Sequence, residues 1–218
     1  MSLPFLAYAG GHVQNSKTIS PVISSQHEFP WKKVPAHSVL LKDLKSGRVL
    51  YEYEADKRLS PASLTKIMSA LVILERGDLD EYATVSRNAA MAPRSHLGIR
   101  TGDVFRLKDL LKAMLIVSAN DACLAAVEHV GGDEARFVDL MNAKATELGL
   151  ADTHFSNACG FDSPDHYSTA GDLAKLSEVA MRQPVFRELV GEKRDFIMPV
   201  SGRRPYLLHN TNRLLGRI

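Results

Sequence analysis

The chain carries no strong excess of charge of either sign. With 27 Lys+Arg against 25 Asp+Glu in 218 residues, its formal charge is only +2. That balance gives no electrostatic reason to expect a nucleic-acid partner, and Lys32-Lys33 and Arg203-Arg204 read as solvated loop residues. No apolar run is long enough to span a bilayer. Internal repeats and low-complexity tracts are absent. The eight histidines form no His-Glu-x-x-His pair and no close Cys/His cluster, so neither a metal nor another cofactor is expected. The two cysteines say little about redox compartment. Cys123 falls in an apolar helical stretch, where a buried free thiol is the default reading, and Cys159 falls in a loop with no cysteine-protease signature around it. Spacing alone does not decide whether they pair.

What is present fits one domain with a sizeable core, since 45% of residues are hydrophobic and 24% charged. Residues 38–43 and 48–53 are short β-prone runs around Ser46-Gly47 and predict a hairpin with one face covered and the other partly so. Helices are predicted over 106–117, 121–130 and 133–148, the last stopped by Gly149. Thr101-Gly102-Asp103 reads as a turn. Thr169 and Asp172 predict a capped helix that Pro184 closes. A second hairpin is expected from 195–200 and 204–208 around Ser201-Gly202. Residues 1–36 fit no helix or strand pattern. Leu3 to Ala9 ends in Ala7-Tyr8-Ala9, similar to a signal-peptidase site, but no basic segment precedes it, so a disordered leader is favoured over the remnant of an export signal.

The chemistry concentrates in two places. Ser63-Leu64-Thr65-Lys66 opens a long apolar helix and is the only Ser-x-x-Lys match in the chain. A serine hydroxyl is a weak nucleophile until a neighbouring base takes its proton, and a spacing of three places serine and lysine a turn apart on one helix face. Lys66 serves as that base only when uncharged, and burial among Ala62, Leu64, Ile67, Met68, Leu71, Val72 and Leu74 would push its pKa down. Ser60 is expected as the N-cap and Pro61 as the first helical residue. That places Ser63 in the first turn, where backbone N–H groups and the helix dipole favour a developing oxyanion.

Ser118-Ala119-Asn120 interrupts a second apolar helical run. Two readings coexist there. Both polar side chains cap the flanking helix ends, or Ser118 relays a proton between Lys66 and a leaving amine while Asn120 donates to Lys66 or to substrate.

Taken with Asn157-Ala-Cys-Gly-Phe161, His166-Tyr-Ser-Thr-Ala170 and His209-Asn-Thr-Asn-Arg-Leu-Leu215, these blocks make the chain from about Val39 onward resemble the D-alanyl-D-alanine carboxypeptidases, the low-molecular-weight penicillin-binding proteins of the serine DD-peptidase and β-lactamase-like superfamily. The resemblance implies an α+β fold, with a helical subdomain beside an antiparallel sheet, over residues 37–218. It implies Ser63 as nucleophile, Lys66 as general base, Ser118 as proton relay and Asn120 as hydrogen-bond partner of substrate or lysine. The implied partners are peptidoglycan stem peptides ending in D-Ala-D-Ala and β-lactam antibiotics, and the implied location is extracytoplasmic, in the periplasm or cell envelope. Membrane attachment would come only from a C-terminal tail that this sequence does not have. The family's third motif, a Lys-Thr-Gly or Lys-Ser-Gly triplet, should follow the Asn-Thr-Asn block and is missing there. The sheet is therefore expected to lack its C-terminal strands, and a catalytically impaired, truncated remnant is the alternative to an active enzyme. A serine β-lactamase is less favoured, because no Glu-x-x-Leu-Asn block is present to orient a deacylating water.

Overall fold

The computed structural model describes residues 36–202 and 204–216. The expected leader up to residue 35, together with Lys32-Lys33 and Arg203, lies outside the described residues. The chain begins with an antiparallel hairpin, β1 (Val39–Lys42) and β2 (Val49–Tyr53), with Val39 opposite Tyr53. A 3-10 turn (Ala62–Leu64) leads into α1 (Thr65–Arg76). A small two-stranded sheet follows, β3 (Tyr82–Thr84) against β4 (Val104–Arg106), with the one-turn helix α2 (Arg87–Ala90) in the connection. Then come α3 (Leu107–Ile116), α4 (Asn120–Gly131), α5 (Glu134–Glu147), α6 (Ala170–Ala180) and α7 (Pro184–Gly191), and a last hairpin of β5 (Arg194–Ile197) and β6 (Tyr206–His209).

The helix α1 is the centre. Met68, Ala70, Leu71, Val72 and Ile73 are all essentially inaccessible, and a helix apolar around most of its circumference has to be enclosed by others. It packs against α3, α4, α5 and α6. Small residues along α4, namely Ala122, Ala125 and Ala126, let neighbouring helices approach closely. Leu107, Leu110, Leu111 and Met114 from α3 and Phe137 and Met141 from α5 fill the remaining space. Each fully buried Leu or Met contributes roughly 1.5–3 kcal/mol relative to exposure, and this stack holds the start of α1 rigid.

Several expectations are corrected. Ser60 does not cap α1: its hydroxyl donates to Asp162 Oδ1 (2.8 Å), and Pro61 precedes the 3-10 turn with no side-chain cap. Ala62 and Leu64 are exposed, so the apolar enclosure of Lys66 comes from fewer residues than the spacing implied. Pro184 does not end α6, which stops at Ala180. It starts α7 instead, at a helical position where its missing N–H costs nothing. On the first hairpin, Leu41, Val49, Leu50 and Tyr53 are each more than two-fifths exposed and Val39, Leu40 and Tyr51 only half-buried, so neither face is fully covered, against the expectation for one of them. One Lys-Ser-Gly triplet does occur, at residues 45–47, and the structure places it in the turn of this hairpin, where Ser46 Oγ donates to Asp43 Oδ2 (2.5 Å). The Thr169 cap on α6 is as expected, Thr169 Oγ1 accepting from the Asp172 N–H. Among the described residues no helix is long and apolar enough to cross a membrane.

Candidate active site

Lys66 is the hub. It lies one residue into α1, is only 3% exposed, and directs Nζ toward three acceptors: Asn120 Oδ1 (2.7 Å), the Cys159 carbonyl (2.7 Å) and Ser63 Oγ (3.4 Å). None of the three is a carboxylate, so among the described residues the ammonium is hydrogen-bonded but has no counter-charge in contact. Burial therefore pushes its pKa down to about 8. In the uncharged form two N–H groups satisfy the two short contacts. The lone pair is then left free toward the serine hydroxyl, 3.4 Å away.

Ser63 sits in the 3-10 turn that precedes α1. The chain enters this turn through Ala62 at φ +47, a conformation an alanine does not favour. The turn is held from outside by the loop 156–161. A Cβ on Gly160 would stand 2.0 Å from the Ala62 carbonyl oxygen and 3.0 Å from the Ser63 nitrogen, and Gly160 itself has φ +88. Glycine is therefore required twice over at this position. Further contacts run along the same side of α1. Ser69 Oγ donates to the Ala158 carbonyl (2.5 Å), and Thr65 Oγ1 meets His166 Nε2 (2.7 Å). The loop is organised internally by Asn157, whose Oδ1 accepts from the N–H groups of Cys159, Gly160 and Phe161 while Nδ2 donates to the Phe161 carbonyl.

Asn120 is the first residue of α4 and closes the opposite side. Its Oδ1 accepts from Lys66, and its Nδ2 donates to the Pro93 carbonyl (3.0 Å), so both ends of the carboxamide are fixed. The expectation that Asn120 donates to the lysine is thereby corrected, since it accepts. Neither polar side chain of the Ser118-Ala119-Asn120 block caps a helix: Ala119 precedes α4 with no side-chain cap, and α3 ends at Ile116 with Val117 as its C-cap. Ser118 lies in the connection at φ +58, an unfavourable backbone state for a non-glycine residue and one found at functional sites. Its hydroxyl makes no hydrogen bond to Lys66 in this structure. Of the four residues read from the sequence, three are joined directly, and Ser118 stands two residues from one of them.

Sequence reasoning missed two supports. Cys123 and Cys159 form a disulfide, with Cα atoms 6.1 Å apart. This corrects the free-thiol reading and ties the loop carrying the Cys159 carbonyl to α4. Asp121, wholly buried, accepts from the backbone N–H groups of Leu97, Gly98 and Ile99 and so holds the segment whose Ser95 carbonyl takes the Asn120 N–H (2.7 Å). Both features lie inside or beside motif blocks already marked in the sequence, and that was the only signal for them.

A serine and a buried lysine at the entrance to a central helix, an asparagine from a facing helix, and small antiparallel hairpins around a helical cluster define an α+β DD-peptidase, β-lactamase-like fold. Comparison with known proteins agrees. Residues 23–217 match the model of the peptidase S11 family, D-alanyl-D-alanine carboxypeptidase, and the chain belongs to that family. It is 35% identical over 185 residues to D-alanyl-D-alanine carboxypeptidase DacF of Bacillus subtilis, covering 83% of this chain and 47% of DacF. It is also 35% identical over 193 residues to DacC of Escherichia coli, covering 84% of this chain and 47% of DacC. Among solved structures, a D-alanyl-D-alanine carboxypeptidase from Mycobacterium tuberculosis superimposes with a TM-score of 0.78 at 33% identity, covering 84% of this chain and 69% of that one. The chain spans about half the length of the curated relatives it matches.

Proposed function

We propose that this chain carries the serine acylation centre of a D-alanyl-D-alanine carboxypeptidase acting on peptidoglycan stem peptides outside the cytoplasmic membrane. Ser63 Oγ attacks the carbonyl carbon of the penultimate D-alanine as uncharged Lys66 takes the hydroxyl proton. The tetrahedral oxyanion lies near the Ser63 backbone N–H, one of the donors expected to stabilise it. As the C–N bond breaks, the proton passes from Lys66 through Ser118 to the leaving amine of the terminal D-alanine. Water then attacks the Ser63 ester and releases the shortened peptide. A β-lactam would acylate the same serine by opening of its ring amide, so that its leaving nitrogen stays tethered.

The observation that carries this reading is the acceptor set of Lys66: two short contacts to neutral oxygens, no carboxylate, and the Ser63 hydroxyl as the third neighbour. Ser118 fits a relay because it stands beside Asn120, and catalytic hydrogen bonds are often long before substrate binds.

Incubation with a fluorescent penicillin followed by mass spectrometry tests the assignment. A single adduct on the peptide containing Ser63, lost in Ser63→Ala, is expected. An undiminished adduct in Ser63→Ala, or no adduct on Ser63 at any pH from 6 to 10, would overturn it.

A further inference from the structure

His166 is a buried titratable side chain, 1% exposed, that the proposed chemistry does not use. Its ring bridges two parts of the site that are distant in sequence. Nδ1 accepts the Ser156 backbone N–H (3.0 Å), and Nε2 lies 2.7 Å from Thr65 Oγ1. Because Nδ1 accepts, the ring proton of the neutral form must be on Nε2, which therefore donates to Thr65. Thr65 is wholly buried and sits between Leu64 and Lys66, two residues after the serine. Ser156 opens the loop that brings the Cys159 carbonyl to Lys66 and the Gly160 backbone against Ala62. The edge of the Phe155 ring confines the imidazole from the side (centroids 5.8 Å apart, 61°), and its own backbone N–H donates to the Ser163 carbonyl.

We propose that His166, as the neutral Nε2–H tautomer, is a positioning residue that locks the Ser63–Lys66 turn to the loop 156–161 and so sets the surroundings of the Lys66 amine. The proposal rests on the reading of Lys66 as the base. Two apolar side chains of similar volume would fill the Thr65–His166 space without burying polar atoms. What the polar pair adds is direction, since a donor aimed at one hydroxyl and an acceptor aimed at one amide admit a single relative placement of the two segments. A protonated ring would break that placement by presenting a second N–H to the Ser156 N–H. The surroundings oppose protonation: burial lowers the His166 pKa first and His154 adds to it, while Asp162 acts in the opposite sense. Asp165 precedes the histidine, and its carbonyl faces His154 Nδ1 (2.6 Å). From α1, the nearest ionisable group in sequence to Thr65 is Lys66.

The test reads the ring and the amine separately from turnover. In long-range 1H–15N spectra of the full chain, the resonance assigned by its loss in His166→Gln should show a pyrrole-type Nε2 and a pyridine-type Nδ1, and should titrate below the ordinary imidazole range. An Nδ1–H tautomer, or titration at the ordinary imidazole value, would overturn the proposal, and both are read on the unsubstituted chain once the His166→Gln spectrum has identified the resonance. In His166→Ala the loosened loop admits water to Lys66, and the Lys66 titration midpoint, read from its 13C-labelled side chain, should move up by about one pH unit. His166→Gln presents a carboxamide N–H to Thr65 and an oxygen to the Ser156 N–H, and should restore the midpoint. A folded His166→Ala chain with an unmoved midpoint would refute the positioning role. Failure of penicillin to label Ser63 would count against the function and leave both of these readings standing.

Discussion

Asn120 turns its carboxamide oxygen, not its amino group, to Lys66 at 2.7 Å, so the site supplies the lysine with a dipole and withholds a charge. With a pKa of about 8, roughly one Lys66 in ten is uncharged at pH 7. The rate of Ser63 acylation should therefore climb from pH 6 and level off above a midpoint near 8. Asn120→Asp replaces the dipole with an anion at the same distance. That change should raise the Lys66 midpoint by one to three pH units and slow labelling at pH 7 about tenfold or more. A stopped-flow pH profile with fluorescent penicillin checks it, and an unmoved midpoint would remove Lys66 from the role of base. The same depression carries a stability signature. Between pH 8 and about 10.5 the unfolded chain binds more protons at Lys66 than the folded one, so this residue's contribution becomes more favourable as pH rises, by about 3 kcal/mol in all.

Gly160→Ala should be among the most damaging conservative changes in the chain. The new methyl would sit 2.0 Å from the Ala62 oxygen, with no flexible side chain to yield, in a backbone state of φ +88. Relief requires the loop to withdraw from the Ser63 turn. A loss of about 3 kcal/mol or more in urea denaturation is expected, with labelling of Ser63 reduced in whatever fraction remains folded. Gly47→Ala in the first hairpin is the control, since an added Cβ there meets nothing within 4 Å although φ is +72. Only the conformational cost of roughly 1 kcal/mol should appear.

Ser63 with Lys66, and the asparagine that meets them, could be read from the sequence because each signal is local: a spacing of three at a helix start, and polar residues interrupting an apolar run. The oxygen of Cys159 could not, because any residue type offers a backbone carbonyl and this one reaches Lys66 across 93 positions. The helices α3, α4 and α5 follow their apolar periodicity. The strands β3 and β4 have three residues each, too few for alternation to register. Pro184 was misread because a proline ends one helix and begins another equally well. The positive φ at Ser118 leaves no trace in composition, and the disulfide joins a helix and a loop 36 residues apart.

The Cys123–Cys159 bridge closes a segment of 36 residues, which in the chain-entropy picture is worth about 4 kcal/mol. Both cysteines are essentially inaccessible, so a dithiol should reduce the pair only once the chain opens. Urea curves with and without dithiothreitol should differ by about 2–4 kcal/mol, and Cys123→Ser, Cys159→Ser and the double variant should agree with one another. Because Cys159 also supplies a carbonyl to Lys66, the double variant should label Ser63 more slowly at pH 7. Equal stability with and without the bridge would make it incidental to the fold.

Asp121 is a fully buried carboxylate whose Oδ2 accepts from the Gly98 and Ile99 N–H groups at 2.8 and 3.1 Å and whose Oδ1 accepts from Leu97 at 3.1 Å and from Ala122 at 2.9 Å. Four donors converge on two oxygens, and an asparagine offers only one oxygen. In Asp121→Asn the amino group would face the Gly98 and Ile99 N–H groups donor to donor, and at about 1–3 kcal/mol for each unsatisfied buried group the segment 97–99 should detach. The Asn120 backbone N–H is bonded to the Ser95 carbonyl just upstream, so the loss reaches the site through backbone rather than through any side chain touching Lys66. Hydrogen exchange should report a tenfold or greater drop in protection at Gly98 and Ile99, with Ser63 labelling reduced. Asp103→Asn, where Oδ2 accepts only the Arg100 N–H among the described hydrogen bonds, should leave Gly98 and Ile99 protected. Equal loss in both variants would mean that the acids stabilise the loop in general and that Asp121 has no particular hold on the position of Asn120.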